Sequence, residues 1–146
     1  MADVVRQAYD LFHKGNIRGI MELCTDDVEF VQIGKEAGIP FAGQQVGKDN
    51  IPKYFFKALA QRFKTEDIKL SACVESMDST RVTATGTWTA VPRDKKEHPV
   101  ETARTVVPFC HVYNMEGHKI RRVQSFIDTC KVARAMRLAK AHRPEE

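Results

Sequence analysis

The chain has 146 residues, of which 42% are hydrophobic and 29% are charged. This size and balance are typical of one globular domain and exclude a disordered chain. No apolar run reaches the ~20 residues that a membrane-spanning helix needs, and residues 1–7 lack a signal-peptide pattern. We therefore expect a single cytoplasmic domain over residues 1–146, with its core in residues 3–129.

The net charge of +4 is uneven along the chain. Residues 119–143 hold eight Lys or Arg and one acid, Asp128. A solvated basic helix over residues 131–142 accounts for this pattern, and a nucleic-acid or acidic partner is the alternative. Because stacking aromatics do not interrupt the basic residues of this helix, we expect no specific nucleic-acid binding. Membrane binding is not expected either.

The cysteines are Cys24, Cys73, Cys110 and Cys130, and none forms a C-x-x-C pair. Without an export signal, reduced thiols are expected rather than disulfides. The five histidines have no ligand spacing with the cysteines or with each other, so no metal site is predicted. P-loop and G-x-G-x-x-G motifs are absent, so no cofactor is predicted.

Hydrophobic periodicity predicts two helices at the start of the chain. Residues 3–14 carry apolar side chains at spacings of three and four, which places them on one face. Gly15 and Asn16 end this pattern. Residues 16–24 begin a second helix, for which Asn16 is the N-cap candidate.

A third helix follows the Gly- and Pro-rich loop 34–47. It is predicted to begin around Lys48–Asn50 and to run to about Phe63. Pro52 then falls in the first turn, where its missing N–H costs little.

Strand formers and period-two alternation predict five strands, at residues 28–33, 68–77, 80–91, 100–114 and 119–128. Asp78-Ser79 is typical of a hairpin turn. The side of strand 80–91 expected to face inward carries Val82, Ala84, Gly86 and Trp88. Helices followed by a meander of long strands predict an α+β domain with helices on one face of a curled antiparallel sheet. Glycines such as Gly86 help such strands to bend.

Several segments between residues 8 and 129 carry a resemblance to a known family. They are Ala8-Tyr9, Phe12 to Asn16, Leu23, Asp26 to Phe30, Pro40, Ala42-Gly43, Gly47, Ile51, Phe55-Phe56, Phe109, His111 to Tyr113, Gly117 to Ile120 and Phe126 to Thr129. Their order resembles the SnoaL-like branch of the nuclear transport factor 2-like superfamily. The resemblance implies a cone-shaped, strongly curved sheet around about three N-terminal helices, with an apolar pocket. It also implies a homodimer formed through the outer sheet face.

Ketosteroid isomerases of this superfamily use a carboxylate base and two oxyanion donors, a tyrosine and a protonated acid. These positions fall on Gln32, Ala8 and Cys110, so the resemblance implies that this chemistry is lost. A slip of one residue would bring in Tyr9, but it rotates the side chain by about 100° around the helix.

Asp128 is the catalytic candidate that the resemblance leaves, because the polyketide cyclases of the family use an aspartate late in the last strand as base. Apolar neighbours would raise its pKa toward the range of a general base. The alternative is that Asp128 caps the C-terminal helix, since Asp is a favoured N-cap.

The remaining pocket residues are predicted from strand alternation and from the aromatic run on the third helix. The ligand-binding candidates are Gln32, Tyr54, Trp88, Cys110, Val112 and Phe126. If Cys110 faces the pocket, His111 faces outward and lies at the subunit interface. The wall is then mostly apolar with a few polar groups, as in small-molecule sites.

Two functions fit these observations. One is binding of a hydrophobic small molecule with proton-transfer chemistry of the cyclase, isomerase or dehydratase type. The alternative is a non-catalytic binding or assembly module that uses the outer sheet and the basic helix. The position of Asp128 discriminates between them.

Overall fold

The computed structural model describes residues 1–142. In that range the helices are α1 (Ala2–His13), α2 (Ile17–Glu22), α3 (Lys57–Arg62) and α4 (Thr129–Ala141). The strands are β1 (Cys24–Gln32), β2 (Gly43–Val46), β3 (Phe63–Glu75), β4 (Arg81–Pro92), β5 (Thr105–Glu116) and β6 (Lys119–Ile127). The protein is thus an α+β domain, as the sequence predicts. No helix within residues 1–142 is long and apolar enough to cross a membrane.

The six strands form one curved, unclosed sheet in the order β2-β1-β6-β5-β4-β3. All neighbours run antiparallel except β1 and β6, which are parallel. β3 passes very close to β4 at Gly86, since a Cβ built there would collide with the carbonyl oxygen of Lys69. A register shift between Leu70 and Ala72 lies beside this contact. Only glycine allows such a close approach.

The inner face of the sheet carries the core and packs against the N-terminal helices. On β4 the observed alternation matches the predicted one, because Val82, Ala84 and Trp88 are buried. On α1 the buried side includes Tyr9, which stacks on Phe109 of β5 with ring centroids 6.0 Å apart. The helices therefore close the concave side of the sheet and leave a cavity between the two layers.

The third helical segment begins at Asn50 and includes a π-helical turn at Pro52–Phe56 before α3. Pro52 lies near its start, as the sequence predicts, so its missing N–H removes no helical hydrogen bond. The turn brings Phe55 and Phe56 against Phe30 of β1, with ring centroids 5.6 and 5.7 Å apart. These three rings form one end of the cavity wall.

Several boundaries differ from the sequence prediction, since β3 begins at Phe63 rather than at residue 68 and β5 begins at Thr105 rather than at residue 100. The predicted second helix ends at residue 24, whereas β1 already begins at Cys24, where its backbone pairs with Ile120 of β6. The predicted loop 34–47 contains the short strand β2, which is an edge strand. Its sequence, Gly-Gln-Gln-Val, has no apolar alternation, because β2 pairs with one neighbour and contributes little to the core.

Candidate functional site

A cavity of about 110 Å³ lies between the concave sheet face and the helices. Its wall is almost entirely aromatic and aliphatic. The lining residues from the helices and the π-helical turn are Ala8, Tyr9, Phe12, Ile20, Phe55, Phe56 and Leu59. Those from loop and strands are Phe30, Val31, Gln32, Phe41, Ile68, Trp88, Phe109, His111, Tyr113, Ile120, Val123, Ser125 and Ile127. No side chain of this lining carries a full charge at neutral pH unless His111 is protonated.

A hydrogen-bonded chain of two tyrosines and a histidine crosses the cavity wall. Tyr113 donates its O–H to the phenolic oxygen of Tyr9 at 2.7 Å, and Tyr9 Oη lies 2.6 Å from His111 Nδ1. If Tyr9 donates to Nδ1, every hydroxyl hydrogen in the chain has an acceptor. The reverse direction would leave the hydroxyl of the buried Tyr113 without an acceptor, which costs free energy. Nδ1 of His111 is therefore the acceptor, and the ring proton is on Nε2.

Burial keeps all three members of this chain neutral. It lowers the pKa of His111 from 6.5 to about 3, because the cavity wall disfavours the imidazolium. Burial also raises the pKa of Tyr9 and that of Tyr113 above the ordinary value of 10.0, and for Tyr9 the nearby Tyr113 adds to the effect. The site thus offers hydrogen bonds without offering a charge.

Three polar residues lie side by side across the floor of the cavity, and we call them the polar row. Gln32 on β1 pairs with Ser125 on β6, and Ser125 pairs with His111 on β5. In an antiparallel pair such as Ser125 and His111, the Cβ atoms are about 4.5–5.5 Å apart. The side-chain nitrogen of Gln32 donates to the carbonyl of Ile33 at 2.9 Å, which fixes the amide and leaves its oxygen available.

The free atoms of the polar row are open to the cavity. Among residues 1–142, Thr25 Oγ1 is the one fully enclosed side-chain nitrogen or oxygen that lacks a hydrogen-bond partner. His111 Nε2 and Gln32 Oε1 have no protein partner in this part of the chain either, so they retain accessible surface. The cavity therefore presents a donor and an acceptor in an otherwise apolar wall.

Comparison with known proteins identifies the family. The sequence model of the SnoaL-like domain family matches residues 5–123 of the chain. The chain belongs to the SnoaL-like domain family. No curated protein matches this SnoaL-like chain in sequence.

Solved structures share the fold of this SnoaL-like domain at low sequence identity. An NTF2-like protein of unknown function from Burkholderia pseudomallei is 18% identical, with 92% of this chain and 95% of the other covered and a TM-score of 0.78. TerC, co-crystallised with polyporic acid, is 19% identical, with 92% and 96% covered and a TM-score of 0.77. A putative polyketide cyclase from Pseudomonas putida is 18% identical, with 90% and 94% covered and a TM-score of 0.69. At these identities the likeness concerns the fold alone.

Two of the residues predicted for the pocket of the SnoaL-like domain do line its cavity, namely Gln32 and Trp88. The Trp88 indole N–H donates to Thr65 Oγ1 at 2.9 Å, which fixes the ring in the wall. Tyr54 lies elsewhere. It is on the π-helical turn and is 48% exposed, because the turn directs the next two aromatic residues, Phe55 and Phe56, inward.

The predicted orientation of β5 was wrong by one residue. Phe109, His111 and Tyr113 line the cavity, whereas Cys110 and Val112 do not. Because side chains alternate along a strand, a shift of one residue exchanges the two faces. Phe126 pairs with Cys110 and is 38% exposed on the same outer face. His111 is therefore a cavity residue rather than an interface residue.

Asp128 lies at the N-cap of α4, outside the lining of the cavity. Its carboxylate Oδ1 accepts a hydrogen bond from the backbone N–H of Lys131 at 3.1 Å. This geometry matches the capping alternative that the sequence left open. A base at this position would have to leave the cap to reach the cavity.

Sequence reasoning missed Tyr9, His111, Tyr113 and Ser125. The available signal was a shift of the family alignment by one residue, which brings Tyr9 into the tyrosine position. Sequence reasoning rejects this shift because it rotates the side chain around α1. Ala8 and Tyr9 are both 7% exposed, so the buried side of α1 is wide enough to hold either. The same slip on β5 brings in His111, so the two corrections support each other.

Proposed function

We propose that this SnoaL-like domain binds a neutral, mainly aromatic or alicyclic small molecule and holds an acceptor oxygen of that ligand with His111 Nε2. The observation that carries the proposal is the Tyr113–Tyr9–His111 chain. It fixes a neutral imidazole with its N–H open to an apolar cavity. Ligand pockets commonly combine such an apolar wall with a few oriented polar groups.

The size of the cavity limits the ligand. By the same volume measure, one water needs roughly 10–15 Å³. The cavity of about 110 Å³ thus corresponds to roughly seven to eleven waters, or about 200–330 Å³ of liquid volume. This volume suits a ligand of one or two rings. A carbonyl oxygen is the acceptor expected opposite His111, and a ligand hydroxyl is expected to donate to Gln32 Oε1.

The neutrality of the site favours binding over proton transfer. Among the described residues, the lining contains no carboxylate, lysine or thiol. His111, with a pKa of about 3, is a poor base at neutral pH, because a general base works best with a pKa near the working pH. Asp128 is engaged at the α4 cap. The names of the similar structures, one co-crystallised with polyporic acid and one a putative polyketide cyclase, support a small organic ligand.

Fluorescence of Trp88 provides the test, because Trp88 is the single tryptophan of the chain and lines the cavity. The chain is titrated with three two-ring probes, 1-tetralone, tetralin and 1-naphthoate. We expect the ketone to bind about 2- to 12-fold more tightly than the hydrocarbon, the worth of one hydrogen bond. The carboxylate is expected to bind most weakly, because burying an unpaired charge is costly. Tighter binding of 1-naphthoate than of 1-tetralone would refute the proposal.

A matched pair of variants attributes the preference to His111. His111→Phe keeps an aromatic wall but removes the N–H, so 1-tetralone and tetralin should bind equally. Cys110→Ala changes the next residue of β5, which does not line the cavity, and should keep the preference for the ketone. If His111→Phe retains the full preference, the donor is another group.

A further inference from the structure

A second concavity of about 440 Å³ lies on the surface near α4. We call it the basic groove. Its uncharged lining residues are Ala37, Gly38, Pro40, Ala133 and Met136, and its charged lining residues, called the rim below, are Arg62, Arg93, Asp94, Lys95, Arg137 and Lys140. Nothing in the cavity function described above uses these residues.

The rim has five cations and one carboxylate, and the carboxylate is engaged elsewhere. Asp94 Oδ1 accepts hydrogen bonds from the backbone N–H groups of Lys96 and His98, at 2.9 and 3.0 Å. Within residues 1–142 no carboxylate lies within salt-bridge distance of Arg62, Arg137 or Lys140. The groove therefore has an uncompensated positive potential, which attracts anions.

One guanidinium of the rim is held in a fixed orientation without being neutralised. Arg93 donates from Nε to the carbonyl of Ala60 at 2.9 Å and from Nη1 to the carbonyl of Glu97 at 3.1 Å. Carbonyl acceptors orient the fork but leave its charge intact. The loop that carries Arg93 is closed by a bridge to Pro99 and holds Glu97 at a φ of 64°. Non-glycine residues held at positive φ cluster at functional sites.

Helix α4 supplies the opposite wall of the groove. Ala133, Met136, Arg137 and Lys140 recur at spacings of three and four and therefore share one side of the helix. Arg134 lies on the same helix but outside the groove. The basic character of the C-terminal region, visible in the sequence, is thus partly focused into one concave site.

We propose that the basic groove binds a small polyanion of the phosphate class, such as a diphosphate group on a soluble organic molecule. Three guanidiniums suit this class, because the planar fork matches phosphate oxygens in pairs. Several cations around one concavity favour a ligand with more than one anionic group. The uncharged lining residues, Ala133 and Met136 among them, add room for an organic part beside the phosphates. This site is separate from the cavity, since the two share no lining residue.

Isothermal titration of the full chain with pyrophosphate at fixed ionic strength tests the proposal. Arg137→Gln, and separately Arg62→Gln, should weaken binding about five- to tenfold, somewhat less than a buried charge-assisted hydrogen bond would give, because the groove is open to water. Arg134→Gln is the matched control. It removes the same charge from the same helix, so its affinity should stay within about twofold if the site is local.

Three results would overturn the proposal. Equal weakening by Arg134→Gln and Arg137→Gln would indicate general attraction by the net charge. Tighter binding of a dodecamer of deoxythymidine than of pyrophosphate, weakened equally by all three variants, would indicate a nucleic-acid surface. A tenfold gain in pyrophosphate affinity for the double variant Glu145→Gln, Glu146→Gln would assign the groove to the end of the chain itself.

Discussion

Tyr9 is the central residue of the candidate site, because it accepts from Tyr113 and donates to His111. Tyr9→Phe would leave the buried Tyr113 hydroxyl without an acceptor and Nδ1 of His111 without a donor, a cost of about 1–3 kcal/mol. Tyr113→Phe removes only the outer donor and keeps the Tyr9–His111 bond, so its cost is expected below about 1 kcal/mol. Urea unfolding of both variants measures the difference. An equal or smaller loss for Tyr9→Phe would contradict the inferred direction of the chain.

The protonation of His111 links stability to pH. Its pKa is 6.5 as a free side chain and about 3 in the folded protein, so between these values the unfolded state binds the extra proton. The free energy of unfolding therefore falls as the pH falls through this window. From pH 7.5 to pH 5 this loss amounts to at most about 2 kcal/mol.

The measurement is urea unfolding of the wild type and of His111→Phe at both pH values. The wild type should lose more stability than the variant, because the variant lacks this titrating group. Parallel losses in the two proteins would mean that the folded protein accommodates the imidazolium.

At this scale the sequence predicts which residue types meet, but not which face they occupy. One side of β5 carries Val106, Pro108, Cys110 and Val112, and the other side carries Val107 and Phe109. Either set of side chains could pack in a core. Both phases of the strand are apolar, so alternation alone could not decide whether Cys110 or His111 faces the cavity. The decision depends on pairing with β4 and β6, which is information from distant parts of the chain.

At the scale of elements, α4 depends on Asp128 for its first turn. The backbone of Asp128 is extended, with φ −71° and ψ 92°, and its side chain bonds to the N–H of Lys131. Asp128→Ala should therefore lower the free energy of unfolding by about 0.5–2 kcal/mol, whereas Asp128→Asn should be nearly neutral, because Asn caps about as well.

Thermal melts of the two Asp128 variants give this comparison without a substrate. Ligand affinity in the cavity should be unchanged in Asp128→Asn, since the carboxylate does not line the cavity. Equal destabilisation by Asp128→Asn and Asp128→Ala would contradict the capping role, and Asp128 would again be a candidate base.

Elements with strong periodicity are the ones that the sequence predicts well. The helix of residues 2–13 and the strands β4 and β6 are found within one residue of the predicted positions, whereas β3 and β5 are found with shifted starts. The start of β1 and the whole of β2 are not, because Asp26 and Asp27 are poor strand formers in an irregular part of β1, and Gly-Gln-Gln-Val has no apolar alternation. The π-helical turn at Pro52–Phe56 has no sequence signal of its own.

At the scale of the whole molecule, the outer face of the sheet is the surface that the proposed homodimer would bury. Thr85, Cys110 and Phe126 form one row across β4, β5 and β6 on this face. The exposed Val106 lies on the same side of β5. The patch differs from the one expected from sequence, because His111 belongs to the cavity instead. The correction makes the outer face more apolar, which favours association.

We propose that this outer face joins two copies of the chain. Light scattering after size exclusion should give twice the 16.6 kDa of one chain. Phe126→Asp places a charge in the middle of the row and should shift the mass toward that of the monomer, since an unpaired charge in an interface core is costly. Met77→Asp is the control, because Met77 is fully exposed in the turn between β3 and β4, away from the row.

A wild-type mass of one chain at micromolar concentration would refute the dimer. A dimer that Phe126→Asp leaves intact would move the interface to another surface.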